Sequence, residues 1–170
     1  MKSSSILSLG LLLGATKAID MREYAPACGV DRGFRIWYRE LLASFEDATT
    51  VEGILDWFAP GGVMVLRDQE AAGDEILQAR EAILPADGSV QWNHFPNTTI
   101  VSDETPTNKS FVVSGVLQIT NGTCATTYFQ TLFTVEKDLT TGQADLESHG
   151  GRILVYHGFS INATTDPCIK

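Results

Sequence analysis

The second half of the chain constrains its fold most. Four runs, residues 90–102, 110–120, 123–136 and 151–161, are rich in Val, Ile, Thr, Phe and Tyr and are separated by turn-forming clusters. β-Branched and aromatic side chains fit a pleated, half-buried surface, so each run reads as a strand. Asn121-Gly122 stands between the second and third, and an Asn-Gly pair supplies the positive φ angles that a tight hairpin needs. So much consecutive strand builds an antiparallel meander, one face of which must be covered.

The cover lies upstream. Phe34, Trp37, Tyr38, Leu41, Leu42 and Phe45 recur at intervals of three and four, which makes one broad apolar stripe on a helix. Val51, Ile54, Leu55 and Phe58 predict a second short helix over 51–58, stopped by Pro60-Gly61-Gly62. Val63 to Leu66 reads as a brief buried strand. Residues 73–84 read as a third helix, carrying Ile76, Leu77, Ala79, Arg80 and Ile83 and ended by Pro85 and Gly88. Helices followed by a long meander define an α+β chain, its helices packed on one face of a curved sheet. At 170 residues this is one domain.

The first 18 residues read differently. Lys2 precedes an apolar run from Ile6 to Leu13, and Thr16 and Ala18 are small residues at a cleavage spacing, the pattern of a secretory signal peptide. The run is far shorter than the ~20 residues that span a bilayer, and no later segment approaches that length, so no membrane span is expected. Asn97, Asn108, Asn121 and Asn162 each open an Asn-x-Ser/Thr sequon. Together these features predict a glycosylated eukaryotic protein, secreted or held in the lumen of the secretory pathway. Residues 19–31 form an arm, 32–161 the folded body and 162–170 a tail.

Net charge is −9, and removal of a leader carrying Lys2 and Lys17 takes it to about −11. Scattered Lys and Arg give no basic face, which argues against a nucleic-acid partner. Cys28, Cys124 and Cys168 match no metal-ligand spacing; one bridge and one buried thiol is the simplest arithmetic, and a Cys28–Cys168 bond would tie both termini to the body.

Several phrases resemble one superfamily. "WFAPGGVMVL" is similar to its passage from second helix to first strand, "AAGDEILQAREAIL" to its third helix, "HFPN" to the His-x-x-Asn of its second strand, and "GTCATTYFQTLFTVEK" to its long central strand. The superfamily is that of the SnoaL-like and nuclear transport factor 2-like proteins, which includes scytalone dehydratase, ketosteroid isomerase and polyketide cyclases. The resemblance runs from Arg32 to Ile161 and points to a fungal member. It implies a cone-shaped α+β barrel, with helices packed in a strongly curved, mostly antiparallel sheet around an apolar cavity, and relatives that often dimerise through the sheet. No counterpart of the ketosteroid isomerase aspartate base is present.

Strand period selects the groups that could face such a cavity. Alternation puts Trp92, His94, Thr98 and Ile100 on one face and Asn93, Phe95, Asn97 and Thr99 on the other, so an inward imidazole is compatible with a sugar outside. Pro96 marks a bulge or an edge, and a bulge would shift this parity. His94 is the first candidate for acid-base work, because an imidazole exchanges protons near neutral pH. His157 alternates with Ile153, Val155, Phe159 and Ile161, either meeting His94 across the cavity or sitting as a core histidine. His149 reads as a loop residue. Tyr128, Gln130 and Thr126 share one face of their strand, which periodicity leaves open as a wet cavity wall or a solvated surface.

The candidate catalytic residues are therefore His94, Tyr128 and His157; Tyr38, Trp57, Trp92, Gln130 and Phe159 are candidates for substrate binding, and Asp68 completes the polar set. No phosphate loop, nucleophile elbow or zinc spacing occurs, so neither cofactor nor metal is expected. The expected function is cofactor-free isomerisation, dehydration or cyclisation, pericyclic closure included, of a small hydrophobic polyketide or terpenoid. The alternative is a secreted binding protein with the same cavity and no turnover.

Overall fold

The computed structural model describes residues 19–161. The leader, Asn162, Cys168 and the tail lie outside the described residues.

The apolar stripe forms α1, Phe34–Glu46, and all six of its predicted members are buried. The helix expected over 51–58 is reduced to one 3₁₀ turn, Leu55–Trp57. Gly53, at φ +82°, and the shortness of the segment explain the loss, because one turn cannot repay the entropy of nucleating a helix. Pro60, Gly61 and Gly62 do not follow a helix; they lie inside β1, Phe58–Leu66, where the register breaks between Phe58 and Val63. An unanticipated strand, β2 (Gln69–Ala72), turns back on β1 through Arg67 and Asp68, both at positive φ. Then come α2 (Asp74–Glu81), β3 (Gln91–Glu104), β4 (Asn108–Asn121), β5 (Thr123–Glu136) and β6 (Ile153–Ile161).

The strands form one six-stranded curved sheet in the order β2-β1-β6-β5-β4-β3, antiparallel except where β1 runs parallel to β6. Asn121 pairs with Thr123 over Gly122, the hairpin that Asn-Gly predicts. α1 lies in the hollow of the sheet. Phe34 meets Phe111 with ring centroids 4.5 Å apart, Trp37 meets Phe133 at 5.6 Å, and Phe45 stacks on Tyr156 at 5.2 Å. These contacts identify the inner face: the odd-numbered residues of β4 and β5 point in.

The arm is part of the fold. Ala25 and Ala27 donate main-chain bonds to the carbonyls of Asn97 and Thr99, covering the free edge of β3, and Tyr24 shares a 2.7 Å hydroxyl contact with Thr99. Ile19, Met21 and Tyr24 enter the core. Lys109 reaches back to Asp31 at 2.8 Å and to the carbonyl of Gly29 at 3.1 Å. Cys28 and Cys124 are both exposed free thiols, so Cys124 is not the buried one expected. Among the described residues no helix is long and apolar enough to cross a membrane.

Candidate active site

Beyond Phe45 small and medium side chains interrupt the inner face. Phe111 and Phe133 give way to Gly115, Leu117 and Thr131, and a cavity of about 300 Å³ remains, walled by Trp92, His94, Leu117, Ile119, Thr131 and Tyr156. Arg67, Asp68, Phe159 and Ser160 rim its mouth.

His94 is 6% exposed and lies on the inner face, opposite Leu117. Its ring stands edge-on to Phe129 at 4.7 Å and to Trp92 at 5.9 Å. Glu46, the last residue of α1, holds it twice: Glu46 Oε1 accepts the main-chain N–H of His94 at 2.6 Å and lies 2.7 Å from Nδ1. An oxygen that already accepts one N–H is placed to accept a second, so Nδ1 is the donor, and in the neutral ring the lone pair falls to Nε2. Both side chains are almost wholly buried. The carboxylate thus fixes the tautomer and can stabilise the imidazolium formed when Nε2 takes a proton.

Tyr156 adds a donor. Its hydroxyl is hydrogen-bonded to Thr131, and burial, reinforced by the charge of Glu46, pushes its pKa upward, so the phenol keeps its proton through the physiological range. The site therefore combines a base with a neutral O–H donor in an apolar hollow.

The other expected residues fall elsewhere. Asn97 occupies a bulge: the β3–β4 register shifts between Pro96 and Thr98, and parity reverses there. Trp92 and His94 point inward as expected. Beyond the bulge Thr99 is the inward residue, whereas Ile100 is exposed; Thr98 and Ile100 do not share the face of His94. Asn97 itself is exposed. Tyr128 is 59% exposed on the outer face, and Gln130 beside it donates to Ser114 at 3.2 Å, which places both away from the cavity. Tyr38 and Trp57 are buried in the packed core instead of the cavity wall.

His157 pairs with Leu132 and Val65 and so belongs to the outer face; with Phe159, 5.8 Å away, it reaches only the cavity rim. A register shift places Ile153 opposite Val135 and Val155 opposite Thr134, so Ile153 does not share the face of His157, and Tyr156 takes the inward position. His149 is a loop residue, bonded through Nδ1 to the carbonyl of Gly53 at 3.0 Å.

Sequence reasoning missed Glu46, Thr131 and Tyr156. A signal for Glu46 existed: it stands four residues after Leu42, the next place on the apolar stripe, where a carboxylate is out of keeping. Among the described residues no cluster of His, Cys, Asp and Glu could hold a metal ion.

No family model and no curated protein sequence matches the chain. Solved structures do. A ketosteroid isomerase-like protein from Erwinia carotovora atroseptica SCRI1043 superposes with a TM-score of 0.51 at 15% identity, over 78% of this chain and 98% of that one. A protein described as a SnoaL-like polyketide cyclase from Shewanella putrefaciens CN-32 gives 0.50 at 6% identity, over 78% and 82%. The orange carotenoid protein of Anabaena (Nostoc) sp. PCC 7120, solved with canthaxanthin, gives 0.51 at 10% identity, over 86% of this chain and 40% of that longer one. These likenesses show the fold: the chain has the α+β cone fold of the nuclear transport factor 2-like proteins. The fold is that of SnoaL-like cyclases and ketosteroid isomerase-like proteins, and it accommodates both enzymes and ligand binders.

Proposed function

We propose that the protein is a cofactor-independent enzyme that isomerises, dehydrates or cyclises a small hydrophobic polyketide or terpenoid inside the cone. The observation that carries this reading is the His94–Glu46 pair: an imidazole buried in an apolar wall, its Nδ1 tied to a carboxylate and its Nε2 free. Nε2 removes a proton from a carbon beside a carbonyl. The Tyr156 hydroxyl donates a hydrogen bond to the oxygen on which negative charge develops, and the proton held on Nε2 is then delivered to another carbon of the substrate or to a hydroxyl that leaves as water. Pericyclic closure would use the same hollow to fold the substrate. The neighbour solved with a carotenoid supports a greasy ligand in this fold, without bearing on turnover.

The test is α-proton exchange. A panel of hydrophobic cyclic enones and β-diketones is incubated with the protein in deuterated buffer, and binding is followed by quenching of Trp92 fluorescence. Exchange above buffer that is lost in His94→Ala and reduced in Tyr156→Phe, with quenching retained, supports the enzyme. Quenching with no exchange by any panel member favours the alternative, a secreted binding protein without turnover.

The rest of the reading is that residues 1–18 are removed on export, glycans occupy Asn97, Asn108, Asn121 and Asn162, and two copies pair over the outer face, where Ile100, Tyr128 and Phe159 are exposed. Expression in a secreting eukaryotic host, with mass measurement before and after glycan removal and sedimentation of the product, decides each point.

A further inference from the structure

Glu46 is badly placed for a carboxylate. It is the last residue of α1, where unpaired carbonyls carry the negative end of the helix dipole, and α1 has no basic residue in its last turn to offset them. Something else must hold this terminus. Arg80, from α2, is 4% exposed, yet it touches no substrate wall. Its Nε donates to the carbonyl of Phe45 at 3.2 Å and its Nη2 to the carbonyl of Asp47. These are the residues on either side of Glu46.

We propose that Arg80 is a positioning residue for the active site: its guanidinium clamps the backbone on both sides of Glu46, and so aims the carboxylate that orients His94. This inference rests on the catalytic reading of the His94–Glu46 pair. The planar guanidinium suits the task, since one rigid fork can meet two carbonyls where an ammonium meets them as a point charge. Its charge also offsets the helix end beside Glu46. Two features fasten the clamp from outside. Asp47 lies close enough to favour the charged guanidinium, against the burial that disfavours it. The Asp47 carboxylate is in turn held by the Thr49 N–H at 3.0 Å and by the hydroxyls of Thr49 and Thr50, each at 2.7 Å.

The test reads the imidazole directly. In nitrogen-labelled protein near neutral pH, NMR correlation of ring protons with ring nitrogens reports which nitrogen of His94 carries the proton. Wild type is expected to show one Nδ1–H tautomer, and Glu46→Gln to lose it. Arg80→Met, with its fold checked by circular dichroism and thermal melting, should lose the single tautomer too, giving the mixture of a free imidazole; Arg80→Lys should restore it in part. A folded Arg80→Met that keeps the single Nδ1–H tautomer overturns the inference and leaves the catalytic reading standing. If Arg80→Met does not fold, Arg80→Lys decides, and an unchanged single tautomer there overturns it. Absence of the tautomer from wild type removes the catalytic reading instead.

Discussion

The two ends of the inner face of one sheet have been put to different uses. At the end under the start of α1, Phe34, Trp37, Tyr38, Phe111 and Phe133 interlock with Trp57 as one cluster of rings. At the other end Gly115, Leu117, Thr131 and Gly158 stand among the rings of Trp92, Phe129 and Tyr156, and the hollow opens. Gly115 is forced by close approach: a Cβ there would lie 2.3 Å from the carbonyl oxygen of Phe95 and 2.7 Å from the Phe129 ring. The packed end supplies rigidity, and the polar groups Glu46, His94, Thr131 and Tyr156 collect where packing stops. Buried polar groups are tolerable only when partnered, and each of these four has a partner.

Truncation should expose this division most strongly. Phe111→Ala removes a ring fully enclosed between α1 and β4 and should cost about 3–5 kcal/mol in urea unfolding. Leu117→Ala, beside the existing hollow, should cost nearer ~2 kcal/mol, because fewer atoms surround the side chain that is lost. Equal costs at the two positions would mean that the hollow is packed as tightly as the core.

Alkaline titration sharpens the comparison, since Tyr38 is buried at the packed end and Tyr156 at the open one. Burial raises the pKa of Tyr38 and of Tyr156 above the ordinary value of 10.0. Their phenols ionise in the unfolded chain before they do so in the folded one. Stability is therefore complete below about pH 10 and falls as pH rises through the folded pKa values, by about 1.4 kcal/mol per pH unit for each tyrosine in that window. Tyr38→Phe and Tyr156→Phe should each flatten the slope of unfolding free energy against pH by one such increment. A slope unchanged in both variants would show that neither phenol stays neutral while the unfolded chain ionises.

How far these ends could be read from the chain depends on the period each element keeps. α1 has an uninterrupted 3.6-residue stripe, and all six residues of that stripe are buried. β3 keeps its period only up to Pro96, so Trp92 and His94 were legible and Thr98, Thr99 and Ile100 were not. In β6 the irregularity against β5 shifted the expected inner residue from Tyr156 to its neighbour His157. In β5 the alternation itself is regular, but polar residues occupy both faces, and only the packing of Phe129 and Phe133 against α1 and His94 tells in from out. Glu46 and Arg80 were out of reach for another reason: their roles are contacts between elements, and no period within one element encodes them.

The smallest effects belong on the far side of the same strand, and they test that inside-outside assignment. Tyr128 and Gln130 flank Phe129 in sequence, yet they stand on the opposite face, with the Gln130 side chain donating to the Ser114 hydroxyl across the strand pair. Surface substitutions away from special features cost within about 0.5 kcal/mol, so Tyr128→Phe and Gln130→Ala should leave urea unfolding nearly unchanged. They should also leave quenching of Trp92 by a bound hydrophobic probe as it is in the wild type, because neither side chain reaches the hollow. Thr131→Val, one residue further along and facing inward, removes the partner of the Tyr156 hydroxyl and should weaken probe binding wherever the probe carries a carbonyl. If Tyr128→Phe weakened binding and Thr131→Val did not, the strand would have to be turned over, and with it the assignment of Tyr156 and His94 to one cavity.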